Sequence, residues 1–589
     1  MINLVVDDIE IQFIMENSIN FQHQTGAEGD FHLPETIGAG LAWLDYDMDG
    51  FIDLYCVNSG YWTKSQAPSA DSKLYRNLGN GNFVDVTNQS GLKSTEYGQG
   101  VTVADYDNDG DQDVFIGATD GISILFQNDG YGNFQDVTNL AGIIINDRVS
   151  GCSWLDYNQD GFLDLYVGLT YISNLLFKNN GDGTFIEIAQ NIGATGPHSG
   201  CVIMGLGSID YDRDGDQDIF ITQDNYNGNI LLRNGGNGAF FDVSWQSQTD
   251  LEVMGMGVAF GDINRDGFFD FYTTNLNENS LLLNSSSGVF TDISETSGTQ
   301  DIIGSMGWGT FFFDANNDGW VDLYNNNETA YGGVYNSLML NNGDLTFSMS
   351  GPECGAVIAN NGYGSAYSDL DQDGDLDIVL VGSPSNIGSV HLLRNDSPAN
   401  NWIVLRLRQD QKNLFGIGSA VEIYHNAAKQ VSYVASGSSY CSQNTLDVHF
   451  GLSNESLVDS AIIHWPDGNI ESFYSLHVNN INYLMRGDGY ATLSVQKDNW
   501  YPKDFYIAGA YPNPFNGTSV VEIASANNIK SKVEIYNLFG QKVLSNEYKL
   551  FSGVHQQIKL SLNGHPSGVY FLKVSADKKM DIVPITLLK

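Results

Sequence analysis

Aspartate carries the chemistry of this sequence. It recurs in the pattern Asp-x-Asp/Asn-x-Asp-Gly-x-x-Asp, seven times, starting at Asp45, Asp105, Asp156, Asp210, Asp262, Asp314 and Asp369. In each copy the first, third, fifth and ninth residues offer side-chain oxygens. The sixth is the Gly that a sharp turn requires, and the seventh offers its backbone carbonyl. Oxygen donors alone, converging from one short loop, bind a hard cation, and multidentate ligation of this kind suits Ca²⁺ better than Mg²⁺. The expected side-chain ligands are Asp45, Asp47, Asp49 and Asp53; Asp105, Asp107, Asp109 and Asp113; Asp156, Asn158, Asp160 and Asp164; Asp210, Asp212, Asp214 and Asp218; Asp262, Asn264, Asp266 and Asp270; Asp314, Asn316, Asp318 and Asp322; and Asp369, Asp371, Asp373 and Asp377. Without a cation, close carboxylate pairs repel by roughly 1 kcal/mol each even in a water-like dielectric. An ion at about 100 times its dissociation constant stabilises the fold by about 2.7 kcal/mol per site. Up to seven structural Ca²⁺ are therefore expected. No coordination position is reserved for a substrate and no general base lies beside one, so a catalytic metal is not indicated.

The elements that hold these loops repeat with them. Successive copies begin 60, 51, 54, 52, 52 and 55 residues apart, a period that indicates a propeller or a repeat array. A Gly-rich apolar strand precedes each loop (Gly98–Ala104, Gly255–Phe260), and an alternating strand follows it (Leu54–Val57, Val114–Ile116). A third strand ends in Asn (Leu74–Asn77, Leu231–Asn234), and after a Gly-rich turn comes a fourth, such as Phe83–Thr87 or Phe134–Thr138. Four strands joined by turns make a propeller blade. The seventh copy has no fourth strand after His391–Asn395, but a spare segment at residues 11–21 can supply one and close the ring. Residues 1–399 are thus expected to form a seven-bladed β-propeller. These repeats resemble the FG-GAP/VCBS repeats of integrin-α-like propellers, over about two thirds of the chain. In that family the innermost strand precedes the acidic loop and the loop binds calcium.

Alternating strand direction sends the acidic loops to one face. The turns between second and third strands, and the links between blades, lie on the other. That second face would carry Tyr61, Trp62, Lys64, Asn225, Tyr226, Glu328 and Tyr331 in its turns, and His23, His32, Glu35, Glu96, Tyr97, Arg148 and His198 in its links. Aromatics beside acids and amides suit a glycan or a protein ligand. Met204, Met254, Met256 and Met306 fall on innermost strands, where apolar plugging of the channel is favoured over a soft-metal site.

Two further segments follow. Residues 400–488 lose the acidic repeat and carry strands such as Trp402–Leu407 and Ala461–Trp465. Asn413–Gly418, Gly437–Tyr440, His449–Leu452 and Trp465–Gly468 give this segment its resemblance to the ASPIC/UnbV domain. Arg486-Gly-Asp488 is read as a turn. Residues 489–504 read as a linker. Residues 505–589 hold nine Lys against five acids. Their Pro/Gly-punctuated strands, opening Tyr511-Pro-Asn-Pro-Phe-Asn516, indicate a small β-sandwich. This segment resembles the C-terminal sorting domain of type IX secretion cargo, which implies recognition by that machinery at the outer membrane of a Gram-negative bacterium.

The fold class is therefore all-β: a propeller, a β-rich domain and a C-terminal sandwich. A net charge of −45 excludes a nucleic-acid partner and disfavours anionic lipid. No apolar run reaches the roughly 18 residues of a membrane span, and the first eight residues do not read as a signal peptide. The five cysteines are scattered and lack CxxC spacing. No Gly-x-Ser-x-Gly and no HExxH occurs. The expected function is a secreted or cell-surface, calcium-binding, non-catalytic adhesion or ligand-binding protein. An extracellular carbohydrate-active enzyme, such as a polysaccharide lyase, is the alternative.

Overall fold

A computed structural model describes residues 11–25, 36–60, 71–79, 81–196, 200–301, 306–328, 335–359, 361–382, 387–397, 400–492, 505–511, 516–525, 529–537, 541–550, 556–576 and 579–587. These residues are all-β apart from short helical turns. The chain divides into two compact units, Met1–Leu493 and Ser494–Lys589.

In the first unit each acidic loop joins the first two strands of an antiparallel sheet of the kind found in propeller blades. The sheet around the second loop runs Tyr97–Ala104, Asp113–Asp120, Ile124–Asn128, Phe134–Asp136, in that spatial order. The same order repeats in the sheets that begin with Leu41–Leu44, Val149–Leu155, Val202–Ile209, Gly255–Gly261 and Met306–Phe313. The seventh has Gly362–Ser368, Asp377–Gly382 and Ile387–Asn395, and its fourth place is taken by Phe13–Glu16 from the start of the chain. Phe13 faces Asn395 and Glu16 faces Leu392 in this pairing, as the spare segment led one to expect. Gln22–Gln24 pairs further along the same strand.

The first strands are buried along nearly their whole length because they pack on one another, in order from the first sheet to the seventh and back to the first. Their glycines follow from that proximity: a Cβ on Gly257 would lie 2.1 Å from the Trp308 carbonyl of the next sheet. Farther out, apolar side chains fill each gap between neighbours. Leu44 and Val57 meet Val101 and Val114 between sheets one and two, and Leu41 and Trp43 meet Val379 and Leu392 between seven and one.

A helical turn unforeseen in the sequence follows the fourth strand of several sheets, as at Thr87–Ser90, Thr138–Ala141 and Ser244–Ser247. The Asp-Val-Thr/Ser motif starts it. Asp85 Oδ1 accepts both the backbone N–H of Thr87, at 3.0 Å, and its hydroxyl, at 2.6 Å. A left-handed Gly91 or Gly142 ends it.

The remainder of the first unit forms two sheets, Val448–Ser453 with Asn401–Arg408 and Ile481–Met485, and Ala428–Tyr433 with Ala420–His425, Ser460–His464 and Ile470–Phe473. Their core is continuous with that of the second and third sheets, since Ile403, Ile423 and Trp465 share one cluster with Trp154, Leu165 and Phe177. The segment 434–445 enters the ring of first strands. Ser436, Ser439 and Gln443 bridge to Trp154, Val258 and Ala42. Tyr440 and Cys441 pack with Met204, Met256, Met306 and Trp308. The methionines therefore line an apolar plug, as expected, but the plug is completed from a distant part of the chain.

The second unit holds two sheets, Phe505–Tyr511 with Thr518–Ser525 and Gln556–Ser561, and Lys542–Leu550 with Ile529–Asn537, Gly568–Ala576 and Lys579–Leu587. Val521, Ile523, Val533, Ile535, Ile558 and Leu572 form their common core.

Candidate metal centres

Every acidic loop has the same backbone plan. The first Asp folds over the turn, with Asp45 Oδ2 accepting the Gly50 N–H at 3.1 Å and Asp105 Oδ2 that of Gly110 at 3.2 Å. The fifth residue caps the seventh: Asp49 Oδ1 accepts the Phe51 N–H at 3.0 Å. The glycine at position six has a positive φ in every loop, from 82° at Gly161 to 103° at Gly110. Position four is also left-handed, at Met48, Asn108, Gln159, Arg213, Arg265, Asn317 and Gln372. Two left-handed residues in nine coil the loop so that its carboxylates converge.

The ninth Asp is a brace as well as a donor. Asp53 Oδ1 accepts the backbone N–H of Asn77 at 2.7 Å, and Oδ2 that of Tyr46 at 3.2 Å. Asp113, Asp218, Asp270, Asp322 and Asp377 repeat both bonds. Asp164 keeps the bond to Asn179.

The Asn that ends the third strand is a functional residue missed in the sequence. Its amide donates to the position-two carbonyl of the preceding sheet's loop: Asn128 to Tyr46, Asn179 to Tyr106, Asn234 to Tyr157, Asn284 to Tyr211, Asn341 to Ile263, Asn395 to Ala315, and Asn77 back to Leu370. These seven bonds, 2.7–2.9 Å long, run once round all the loops and return. The recurring Asn is visible in the sequence; its partner, some 75 residues away, is not.

Four sets bring three carboxylates within one coordination sphere and can hold a metal ion: Asp45, Asp47 and Asp53; Asp105, Asp107 and Asp113; Asp210, Asp212 and Asp218; Asp369, Asp371 and Asp377. Their donor set fits such an ion. Asp45 Oδ1, Asp107 Oδ1, Asp212 Oδ1 and Asp371 Oδ1 are buried and accept no hydrogen bond. Burial first, and repulsion from Asp49 and Asp47 next, raise the Asp45 carboxyl well above the ordinary range. The same kinds of cause lift Asp111 to about 9 and Asp210 to about 7. A cation relieves both penalties at once. Asp156, Asn158, Asp160 and Asp164, with the matching residues of the loops at Asp262 and Asp314, keep the same turn.

The acidic face is covered by the unit's own C-terminal part. Lys412 Nζ donates to the Asp160 carbonyl at 2.7 Å, Arg213 pairs with Glu422 at 2.8 Å, and His449 meets the Gly374 carbonyl at 2.9 Å. Arg486 of the Arg-Gly-Asp triplet is held by Asp467 and Gln409, both at 2.7 Å, so the triplet is a structural turn.

On the opposite face, Tyr226 is 61% exposed, while His23 and Tyr97 are buried. His23 packs against Ser59 at 3.1 Å and Glu328 accepts the Trp308 indole N–H at 3.0 Å, so both belong to the interior instead of a ligand surface. Exposed Tyr171, with Arg148 6.0 Å from its ring centre, joins Tyr226, Ile122 and Ile172 in the turns of the second to fourth sheets. Tyr61, Trp62, Lys64, His32, Glu35, His198 and Tyr331 lie outside the described residues.

Comparison with known proteins agrees with these parts. The FG-GAP-like repeat model matches residues 45–116, 105–167, 210–273 and 262–325, ASPIC and UnbV matches 409–489, and the secretion system C-terminal sorting domain matches 509–585. Cartilage acidic protein 1 of Xenopus tropicalis is 27% identical over 74% of this chain and 71% of its own length. The human protein of that name is 24% identical over 74% of this chain and 60% of its own. Sqt1 of Saccharomyces cerevisiae, a solved structure, aligns with 66% of this chain and all of its own at 10% identity and a TM-score of 0.38. Among the described residues no helix is long and apolar enough to cross a membrane. The sorting domain indicates secretion or an outer-surface location. This chain carries FG-GAP-like repeats, an ASPIC and UnbV domain and a secretion system C-terminal sorting domain.

Proposed function

We propose that this is a secreted, calcium-braced, seven-bladed propeller that binds an extracellular glycan or protein and performs no catalysis. Residues 1–399 are the propeller, 400–488 its ASPIC/UnbV cap, and 505–589 the address read by type IX secretion. The circuit of Asn-to-carbonyl bonds, which returns from Leu370 to Asn77, supports closure at seven blades. Calcium is favoured by all-oxygen donors with bare, buried carboxylate atoms.

One observation carries the binding role. The acidic face and the channel are filled by residues 400–492, so the face left for a partner is the one bearing Tyr171 and Tyr226. Both tyrosines are exposed and both have left-handed backbone, at φ 73° and 57°. A bulky residue held there costs about 1–3 kcal/mol, a strain that clusters at binding sites. Exposed aromatic faces, that of Tyr171 beside Arg148, suit a sugar ring or a peptide.

A glycan and matrix-protein array probed with the full chain tests this. Binding should occur in Ca²⁺, fall in EDTA, and drop at least tenfold in Tyr171→Ala/Tyr226→Ala. Equal binding by that variant would refute the assignment of the face.

A further inference from the structure

The seven loops are not chemically equal. Resting on the calcium reading above, we infer that the loops beginning at Asp45, Asp105, Asp210 and Asp369 are tight cation sites, and that those beginning at Asp156, Asp262 and Asp314 are weaker, because the protein already supplies part of what the ion would.

Position three makes the first distinction. In the second, fourth and seventh loops it is Asp107, Asp212 or Asp371, and each keeps Oδ1 buried without a hydrogen bond. In the first loop a bare buried atom is Asp45 Oδ1, at position one; the third loop also leaves one, Asp164 Oδ2 at position nine, so the distinction lies at position three. The outer oxygens are gripped from the third strand, Asp107 Oδ2 by Gln127, Asp212 Oδ2 by Arg233 at 2.8 Å and Asp47 Oδ2 by Arg76 at 2.8 Å. That grip orients the carboxylate and leaves the inner side for an ion. In the other three loops position three is Asn, folded onto position five. Asn158, Asn264 and Asn316 accept the N–H of Asp160, Asp266 and Asp318 through Oδ1, at 3.0–3.1 Å. Each also donates through Nδ2 to the same residue's carboxylate, at 2.9–3.1 Å.

Position seven makes the second. It is Asp111, Asp216 and Asp375 in loops two, four and seven, so these hold five carboxylates within nine residues. In the loops with Asn it is Phe162, Phe268 and Trp320, which leaves three; loop one has Phe51 there and, with Asp47 at position three, keeps four.

The third distinction is a resident cation. Lys412 Nζ lies 3.9 Å from the Phe162 ring centre and donates to the Asp160 carbonyl. The Arg265 guanidinium lies 3.8 Å from the Trp320 ring centre, and its Nε donates to the Gly319 carbonyl at 3.1 Å. Lys429 Nζ sits 2.3 Å from where a Cβ on Gly267 would be. Arginines also lie near loops one, four and seven, but each is engaged elsewhere or on an outer oxygen: Arg76 and Arg233 hold the outer oxygens of Asp47 and Asp212, Arg406 pairs with Asp447, Arg213 with Glu422 and Arg394 with Glu16. Fewer charges, an occupied third ligand and a neighbouring cation all lower affinity in one direction.

The experiment is a count of ions. Full-length protein, stripped with EDTA and dialysed, is equilibrated with buffered free Ca²⁺, and bound calcium is measured by atomic emission. About four ions should bind with a dissociation constant at least about tenfold below that of the remainder. Asp107→Asn should reduce the tight class to three. Asn264→Asp should raise it to five, and Asn158→Asp/Asn264→Asp/Asn316→Asp to seven. Seven ions of one affinity, with these variants unchanged in distribution, would overturn the two-class inference and leave the calcium reading standing. No bound calcium at millimolar concentration would overturn both. The single substitutions keep the test decisive if the triple variant does not fold.

Discussion

At the residue scale, stability rests on polar groups that reach between sheets. The Asn128 amide donates to the Tyr46 carbonyl of the preceding sheet at 2.9 Å and to the Gln112 carbonyl at 3.2 Å. Asn128→Ala leaves both acceptors without that donor in a buried place. Each such loss costs about 1–3 kcal/mol, so urea unfolding should show a loss of about 2–6 kcal/mol. Asn128→Asp should be no better, since a carboxylate cannot donate; a loss under about 0.5 kcal/mol in both would show that the clasp contributes little. His23 gives a pH test. It is fully buried, and burial lowers its pKa from 6.5 to about 4. The unfolded chain therefore takes up a proton at a pH where the folded one does not. Stability is complete above about pH 6.5, declines as pH falls from there towards 4, and is flat in this component below that. The full fall amounts to about 3 kcal/mol. His23→Gln should unfold with a shallower pH dependence between 6.5 and about 4 than the parent; parallel curves would show that His23 is not the proton acceptor.

At the element scale, the last sheet depends on the two ends of the repeat region meeting. Phe13–Glu16 supplies the outer strand against Ile387–Asn395, and Phe21 packs with Leu41, Trp43 and Leu392. Deleting residues 1–24 exposes a strand edge and removes part of the core between sheets seven and one. The product should aggregate on size-exclusion chromatography and melt at a lower temperature. A monodisperse deletion variant with an unchanged melt would remove that role from the strand. This pairing is legible in the sequence, because the seventh repeat stops at Asn395 and an alternating segment stands unclaimed at residues 11–21. The four-strand unit and the carboxylate loops are legible for the same reason: period-two alternation and the Asp-Gly spacing are local signals repeated many times. What stays hidden is non-local. Nothing around Ser436–Gln443 says that these residues cross into the ring of first strands, and nothing around Asn77 names Leu370 as its partner. The left-handed backbone at position four is hidden too, because Met48, Arg213 and Arg265 are not residues that announce it. His23 and Tyr97 fall in links, which suggests a surface, but the links are packed.

At the scale of the whole molecule, the two units should behave differently when cations are withdrawn. In the first, the carboxylate loops, the plug at Tyr440 and Cys441, and the shared core of Ile403, Trp154 and Trp465 are physically continuous. If the loops hold calcium as proposed, loss of ions raises repulsion among acids such as Asp105, Asp107 and Asp109, whose carboxyls are already pushed upward by burial. The loops and the cap are in direct contact through Lys412 on the third loop, Glu422 on the fourth and His449 on the seventh, so such repulsion would be felt by both. The second unit has its own core around Val533, Ile558 and Leu572, and none of the seven acidic loops lies within it. Calorimetry of the full chain should therefore show two transitions. EDTA should move the one belonging to Met1–Leu493 down by about ten degrees or more, since several sites each contribute about 2.7 kcal/mol at saturating ion, and millimolar Ca²⁺ should restore it. The transition of Ser494–Lys589 should not move. A chain ending at Leu493 should keep the calcium-sensitive transition unchanged and lose the other, and tryptophan fluorescence, dominated by Trp43, Trp154, Trp308 and Trp465 in the buried interior, should follow mainly the first transition, since Trp500 is the one tryptophan of the second unit's sequence. If EDTA shifts both transitions equally, or the chain ending at Leu493 no longer responds to Ca²⁺, the cation-dependent fold is not confined to the first unit.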